Sequence, residues 1–389
     1  MSFLKSASTH RFTLDGSPGL ELYLVELCWR IREEVLKLIP PPNLDALVLG
    51  GGYGRGQGGV LKTESGDAPY NDLEFYVFIR GNHWINAARY HQDFQQLESM
   101  LSPEAGLHVE FKIDSLEKLR RSPVSIFSYD LVSGHQIVFG NQSVFAGCEF
   151  HSDATRIPAT EATRLLLNRC SGLLLARELL LKESLTLEES DFVGRNLAKA
   201  QLALGDALLA AEGKYHWDCL ERARRLRELE PKTTGLLLEQ ILPHHAAGVH
   251  FKLYPVRETA PVEQLRRKHT ELTSLALKEW LWIENQRLQA DFADLREYSL
   301  SCVDKCVGGA LWRNLLLNIK TFGAAATLDR NSPRYPRERL LNVLPLLLSD
   351  AEAVTEPLTR RHLQNQLHTT AEDWSGLVAA YKQLWCCYG

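Results

Sequence analysis

The chain has 389 residues, 45% of them hydrophobic and 24% charged, which allows two domains with well-buried cores and fits a soluble globular protein. Its net charge of −4 argues against broad, non-specific binding to nucleic acid and leaves room only for a local basic patch. The eight cysteines are scattered, with no CxxC pair, so a zinc framework is excluded and free thiols in a reducing cytoplasm are expected.

The start, Met1-Ser2-Phe3-Leu4-Lys5, lacks the apolar run of a secretory leader. The most apolar stretches are broken by Arg169, Arg177 and Asn342, so no membrane span is expected. Ser17-Pro18 pairs an N-cap with a proline in the first turn, predicting a helix to about Leu38 that Pro40-Pro41-Pro42 ends. A strand at Leu47-Val48-Leu49 runs into a glycine cluster, and a loop over Leu61–Tyr70 leads to a second strand, Asp72–Ile79. That strand is almost continuously apolar after Glu74, so both of its faces are expected to be covered. Trp84–Leu101 has helical spacing and should break at Ser102-Pro103. Leu107–Ile113 alternates strictly, as a strand with one polar face carrying His108, Glu110 and Lys112. A short helix, a Ser133-Gly134 turn and a last strand over Gln136–Phe139 close this part. After about residue 150 strand signals nearly vanish, and helices are expected at about 160–184, 188–212, 215–229, 261–296, 301–322, 337–350 and 371–386. The expected fold class is α+β: a small α/β domain with a mixed sheet over residues 1–150, then an all-helical bundle over 151–389.

Seven of the ten residues Gly50–Gly59 are glycine. A turn needing left-handed backbone would be satisfied by one or two, so the cluster points to close approach of a ligand. Gly54, Gly56 and Gly59 match G-x-G-x-x-G after a strand, with Glu74 about twenty residues on. In the dinucleotide fold, however, the acid ends the second strand, whereas Asp72 and Glu74 begin it. A P-loop is excluded because no Gly-Lys-Ser/Thr follows. Spaced i, i+2, Asp72 and Glu74 share one face of their strand. Side by side they repel unless a cation lies between them, which suggests a divalent metal.

This order of parts resembles the DNA polymerase β-like nucleotidyltransferase superfamily. The resemblance covers roughly residues 40–140 and rests on Gly51-Gly52 with Tyr53-Gly54-Arg55-Gly56, on Asp72-x-Glu74, and on Glu110 in the later strand. The sequence departs from the pattern in its second acid, Glu rather than Asp, and in the long Leu61–Tyr70 segment. The resemblance implies a Mg²⁺-dependent transfer of a nucleoside monophosphate, AMP from ATP, to a hydroxyl of a small molecule or protein. Asp72, Glu74 and Glu110 would bind two Mg²⁺ ions. Glu110 would hold the catalytic ion or take the acceptor's proton; the other reading of Glu110 is an exposed acid on a half-polar strand. Backbone N–H groups of Gly51, Gly52, Tyr53 and Gly54 would cradle phosphates, with Arg55 adding charge-assisted contacts. In the helical part Lys199, with Tyr215 behind it, is the candidate to close over the triphosphate, against the plain reading of a solvated lysine. Asp206, after a mid-helix glycine, reads as a buried partner of a lysine or arginine, and Arg222, Arg224, Arg225 and Arg227 read as a solvated face. The Arg361-His362…His368 spacing is put down to chance. The alternatives are a catalytically silent nucleotide-binding or interaction module and an antitoxin-like AMP transferase acting on a partner protein. No nucleic-acid substrate and no membrane are expected.

Overall fold

A computed structural model describes residues 11–230, 235–306, 310–323, 333–349, 354 and 356–389. The architecture is α+β, with a small mixed sheet and many helices. The described residues form two units. The first runs to Pro158 and takes back Glu212–Leu229 and Val249–Val256; the second holds Ala159–Ala211, Glu230–Gly248 and the chain from Arg257 onward. The two returning segments are held in the first unit by specific contacts. Cys219 N donates to Gln57 Oε1 at 3.2 Å, Tyr215 packs edge-on to Tyr129, and Phe251 packs edge-on to Tyr70. No local pattern marks such contacts, because they join residues far apart in the chain.

In the first unit, α1 (Pro18–Leu38) is capped by Ser17, whose hydroxyl accepts from Leu20 N at 3.3 Å. The strands are β1 (Leu44–Leu49), β2 (Gly59–Thr63), β3 (Gly66–Tyr70), β4 (Asp72–Ile79), β5 (His108–Asp114) and β6 (Gln136–Gly140). Four of them form a sheet in the order β5-β4-β1-β6, with β4 and β5 parallel and the other pairs antiparallel, and β2 and β3 pair separately. The helices are α2 (Gly51–Gly54), α3 (His83–Ala105), α4 (Leu116–Arg121) and α5 (Ile126–Ser133). Along β4 the side chains of Leu73, Phe75, Val77 and Ile79 join α1 and α3 in one apolar layer, with Leu24, Ile31, Phe94 and Leu101. Tyr76 and Phe78 join Ala46, Val48, Leu116, Leu119 and Leu131 in the other. A strand buried on both faces needs this continuous apolar run.

Two elements differ from the sequence expectation. The Leu61–Tyr70 segment is part of an antiparallel hairpin, β2 with β3; Pro69 and the bordering glycines hide it, since proline is normally confined to edge strands. Helix α3 continues through Pro103 to Ala105 and ends on Gly106 at φ 64°. Proline removes one hydrogen bond there, and the turn is held instead from outside, by Tyr23 Oη donating to Ala105 O at 3.1 Å and Val109 N donating to Ser102 Oγ at 3.0 Å.

The second unit carries α6 (Thr160–Leu180), α7 (Leu187–Ala211), α10 (Val262–Leu288), α11 (Leu295–Leu300), α12 (Leu311–Phe322), α13 (Arg337–Ser349), α14 (Pro357–Leu367) and α15 (Trp374–Tyr388). Helix α8 (Cys219–Arg227) belongs to the first unit, and α9 (Gly235–Leu253) contributes its last turn there. Helices α9 and α14 were not expected: Pro243 and adjacent histidines interrupt the apolar stripe of the first, and polar residues dominate the second. Gln289, at φ 50°, ends α10 earlier than periodicity suggests. Asp206 is buried, as expected, and lies 3.1 Å from the Nε2 of buried His245. No helix among the described residues is long and apolar enough to cross a membrane.

The short helix α2 depends on close packing. A Cβ on Gly54 would lie 2.2 Å from the Leu49 carbonyl oxygen, and Gly51 stands at φ +61° with Glu74 directly beneath it. Tyr53, also on α2, is buried. Its hydroxyl accepts from Tyr70 N at 2.7 Å, and its single hydrogen serves Gly59 O at 2.8 Å or Tyr70 O at 3.0 Å. Tyr53→Phe leaves the Tyr70 amide buried without that acceptor, a loss of roughly 1–3 kcal/mol. A urea titration should show the lower midpoint; an unchanged midpoint would contradict this role.

Candidate functional site

Parallel pairing sets Asp72 against His108, Glu74 against Glu110 and Tyr76 against Lys112. Alternation then places Glu74, Tyr76, Glu110 and Lys112 on one face of two neighbouring strands. Two carboxylates about 5 Å apart repel by on the order of 3 kcal/mol at an effective dielectric of about 20. The sequence supplies the remedy two residues on. Lys112 Nζ lies 3.0 Å from Glu74 Oε2 and 3.2 Å from Glu110 Oε2. Its third direction meets Tyr76 Oη at 3.4 Å, and that hydroxyl donates to Glu74 Oε2 at 2.7 Å. The ammonium thus has an oxygen for each N–H. All three charged side chains remain about a third exposed, so solvent screens part of the attraction.

Titration follows this arrangement. Burial pushes the Glu74 carboxyl up, but Lys112, the Tyr76 hydroxyl and Arg55 together bring it below the usual carboxylate range. Burial pulls Lys112 down, and the charges of Glu74 and Glu110 outweigh that, so its net shift is upward.

Beside this pair lies a cationic cluster, built by α2, α5, α8 and the end of α9. Arg55 Nη1 pairs with Asp130 Oδ2 at 3.0 Å, and both side chains are nearly buried; the Nε of Arg55 is buried without a hydrogen-bond partner. Tyr215 Oη donates to the same Asp130 oxygen at 3.3 Å. Arg222 is buried, not solvated; it donates to the carbonyls of His216 and Trp217 at 2.8 and 3.0 Å and covers the Tyr215 ring. Arg224 and Arg225 do form an exposed network with Glu221. Lys252 Nζ is 3.4 Å from where a Cβ on Gly52 would stand. Burial, then the charges of Arg55 and Arg222, pull Lys252 down to about 8 despite Cys219 and Asp130. A cleft of about 140 Å³ opens between Gly51, Arg55, Glu74, Tyr76, Phe127, Asp130 and Leu131.

The structure therefore brings together Gly51, Gly52, Tyr53, Gly54, Arg55, Glu74, Glu110 and Tyr215 within the first unit. Asp72 stands at the head of β4 on the Glu74 face, half-buried. Lys199 lies on α7 of the second unit, half-buried. Among the described residues, no group of three or more His, Cys, Asp and Glu side chains is arranged to hold a metal ion. The oxygens that Glu74 and Glu110 turn toward each other are taken by Lys112, so this set does not fit Mg²⁺ as it stands. A larger cavity, about 870 Å³, lies in the second unit. Its arginines are already engaged: Arg177 with Leu348 O, Arg266 with Leu180 O and Arg296 with Glu356. Sequence reasoning placed Lys112 on the right face but gave it no part. Its two-residue offset from Glu110 was the available signal. Asp130 and Lys252 carried none.

The Lys252 shift has a definite pH signature. Below pH 8 the lysine is charged in both states and the cost of burying it is fully present. Between about 8 and its ordinary value of 10.5, the folded state loses the proton first and the cost is released. Lys252→Met should therefore exceed the wild type in stability at pH 7, by on the order of 1–3 kcal/mol. Urea midpoints should show that advantage shrinking from pH 8 to 10.5; a constant difference would contradict the assignment.

No protein-family model matches this chain, and no curated protein matches it significantly.

Proposed function

We propose that the first unit binds the polyphosphate of a nucleoside triphosphate, with ATP as the nucleotide of first choice. One observation carries this reading: among the described residues, Lys252, beside the glycine helix, has neither a hydrogen bond nor an ion pair, and it lies in the field of Arg55 and Arg222. A cation held partly out of water at that cost is stabilised by an incoming anion. The unpartnered Nε of Arg55 points the same way. At about 140 Å³ the cleft is smaller than the roughly 300 Å³ at which small-molecule pockets begin, which suits phosphate groups rather than a whole nucleotide. A second reading, nucleotidyl transfer to a hydroxyl of a small molecule or protein, is favoured by the register that sets Glu74 beside Glu110 two residues after Asp72. It requires Lys112 to leave its place between them.

Calorimetric titration with ATP in EDTA at pH 7 should show binding, and Lys252→Met should weaken it ten- to a hundredfold, the worth of a charge-assisted contact of about 1.5–3 kcal/mol. Because the anion favours the charged lysine, affinity should be level below pH 8 and fall above it. No ATP binding, or equal binding by Lys252→Met, would remove the proposal. For the second reading, pyrophosphate release with Mg²⁺ and an acceptor panel should vanish in Asp72→Ala and Glu74→Ala.

A further inference from the structure

We infer that Lys112 is a resident counter-cation that occupies the place a divalent ion would take between Glu74 and Glu110, so that phosphate is bound in metal-free form. Three features of the geometry support this. The ammonium approaches one oxygen of each carboxylate, at 3.0 and 3.2 Å, and an ion bridging those oxygens would have to overlap it. Tyr76 donates to the same Glu74 oxygen, which leaves that atom with two donors and no lone pair aimed at the gap. Gly51 stands directly above Glu74, where a Cβ would come within 3.0 Å of its other oxygen, so the carboxylate has little room to turn.

Magnesium raises the barrier further. It needs near-octahedral oxygens at about 2.0–2.1 Å and gives up its waters reluctantly. It would also have to enter beside an ammonium that both carboxylates hold in the charged form. The lysine is set by the strand rather than by chance contact, because the residue two places after Glu110 must fall on the same face, opposite Tyr76. The ligand that matches such a site is a nucleotide or polyphosphate without its metal, held by Arg55 in the cleft and by Lys252 beside Gly52. This deepens the phosphate-binding reading, yet Lys112 can be tested without any nucleotide.

The test uses nucleotide-free protein and Mn²⁺ alone as the probe, read by the electron paramagnetic resonance of the free aqua ion at pH 7. Wild type should take up no Mn²⁺ at a saturable site. Lys112→Gln should take up one equivalent along a saturating curve, and that uptake should disappear in Lys112→Gln/Glu110→Gln. A Lys112→Gln protein with the wild-type circular dichroism spectrum but no such uptake would overturn the inference. So would saturable uptake by wild type that Glu110→Gln abolishes. That wild-type pair reads out even if Lys112→Gln does not fold, and Lys112→Ser then replaces it. Loss of ATP binding would leave these outcomes unchanged, so failure of the nucleotide reading and failure of the Lys112 assignment are separable.

Discussion

The parallel pairing of β4 with β5 is the constraint on which the rest of the first unit depends. It fixes Glu74 beside Glu110 at the spacing of neighbouring strands, and a pair of carboxylates so placed repels unless it shares a cation. Lys112 is that cation, and the other contacts follow. Tyr76 turns its hydroxyl to Glu74, and Gly51 is glycine because Glu74 lies beneath it. The short glycine helix can then sit down on the sheet, tied at its far side by the Tyr53 hydroxyl.

Charge is divided across the cleft. On the sheet side two carboxylates, Glu74 and Glu110, share the one ammonium of Lys112 and leave a net negative charge. Beside it, Arg55 pairs with Asp130, and Arg55 and Arg222 lie close enough to Lys252 to lower it. The field is therefore directional, with its uncompensated positive end beside the backbone of α2. An anion bound beside α2 would reduce the cost of keeping Lys252 charged there.

Much of this was legible in the sequence where one local rule governed. The apolar run of β4 required two covered faces, the alternation of β5 placed Glu110 and Lys112 together, and Ser17-Pro18 marked the start of α1. The rest depended on contacts between distant residues. The hairpin β2–β3 was hidden by Pro69, and Arg222 looked solvated among its glutamates until its burial against Tyr215 was seen. Lys252 came to the site from a helix that Pro243 had concealed. The glycine cluster illustrates the limit best. Its density suggested ligand approach, but Gly51 and Gly54 are each demanded by a protein neighbour, Glu74 and the Leu49 carbonyl. Glycine count alone therefore does not separate packing from binding.

The cation between Glu74 and Glu110 belongs to the protein itself. The most direct measurement is the ¹H–¹⁵N resonance of the Lys112 ammonium in lysine-labelled protein during a Mg²⁺ titration. A held, slowly exchanging ammonium that does not respond to millimolar Mg²⁺ is the expected result. A resonance that shifts or broadens away along a saturating curve, as Mg²⁺ displaces the lysine, would contradict the account.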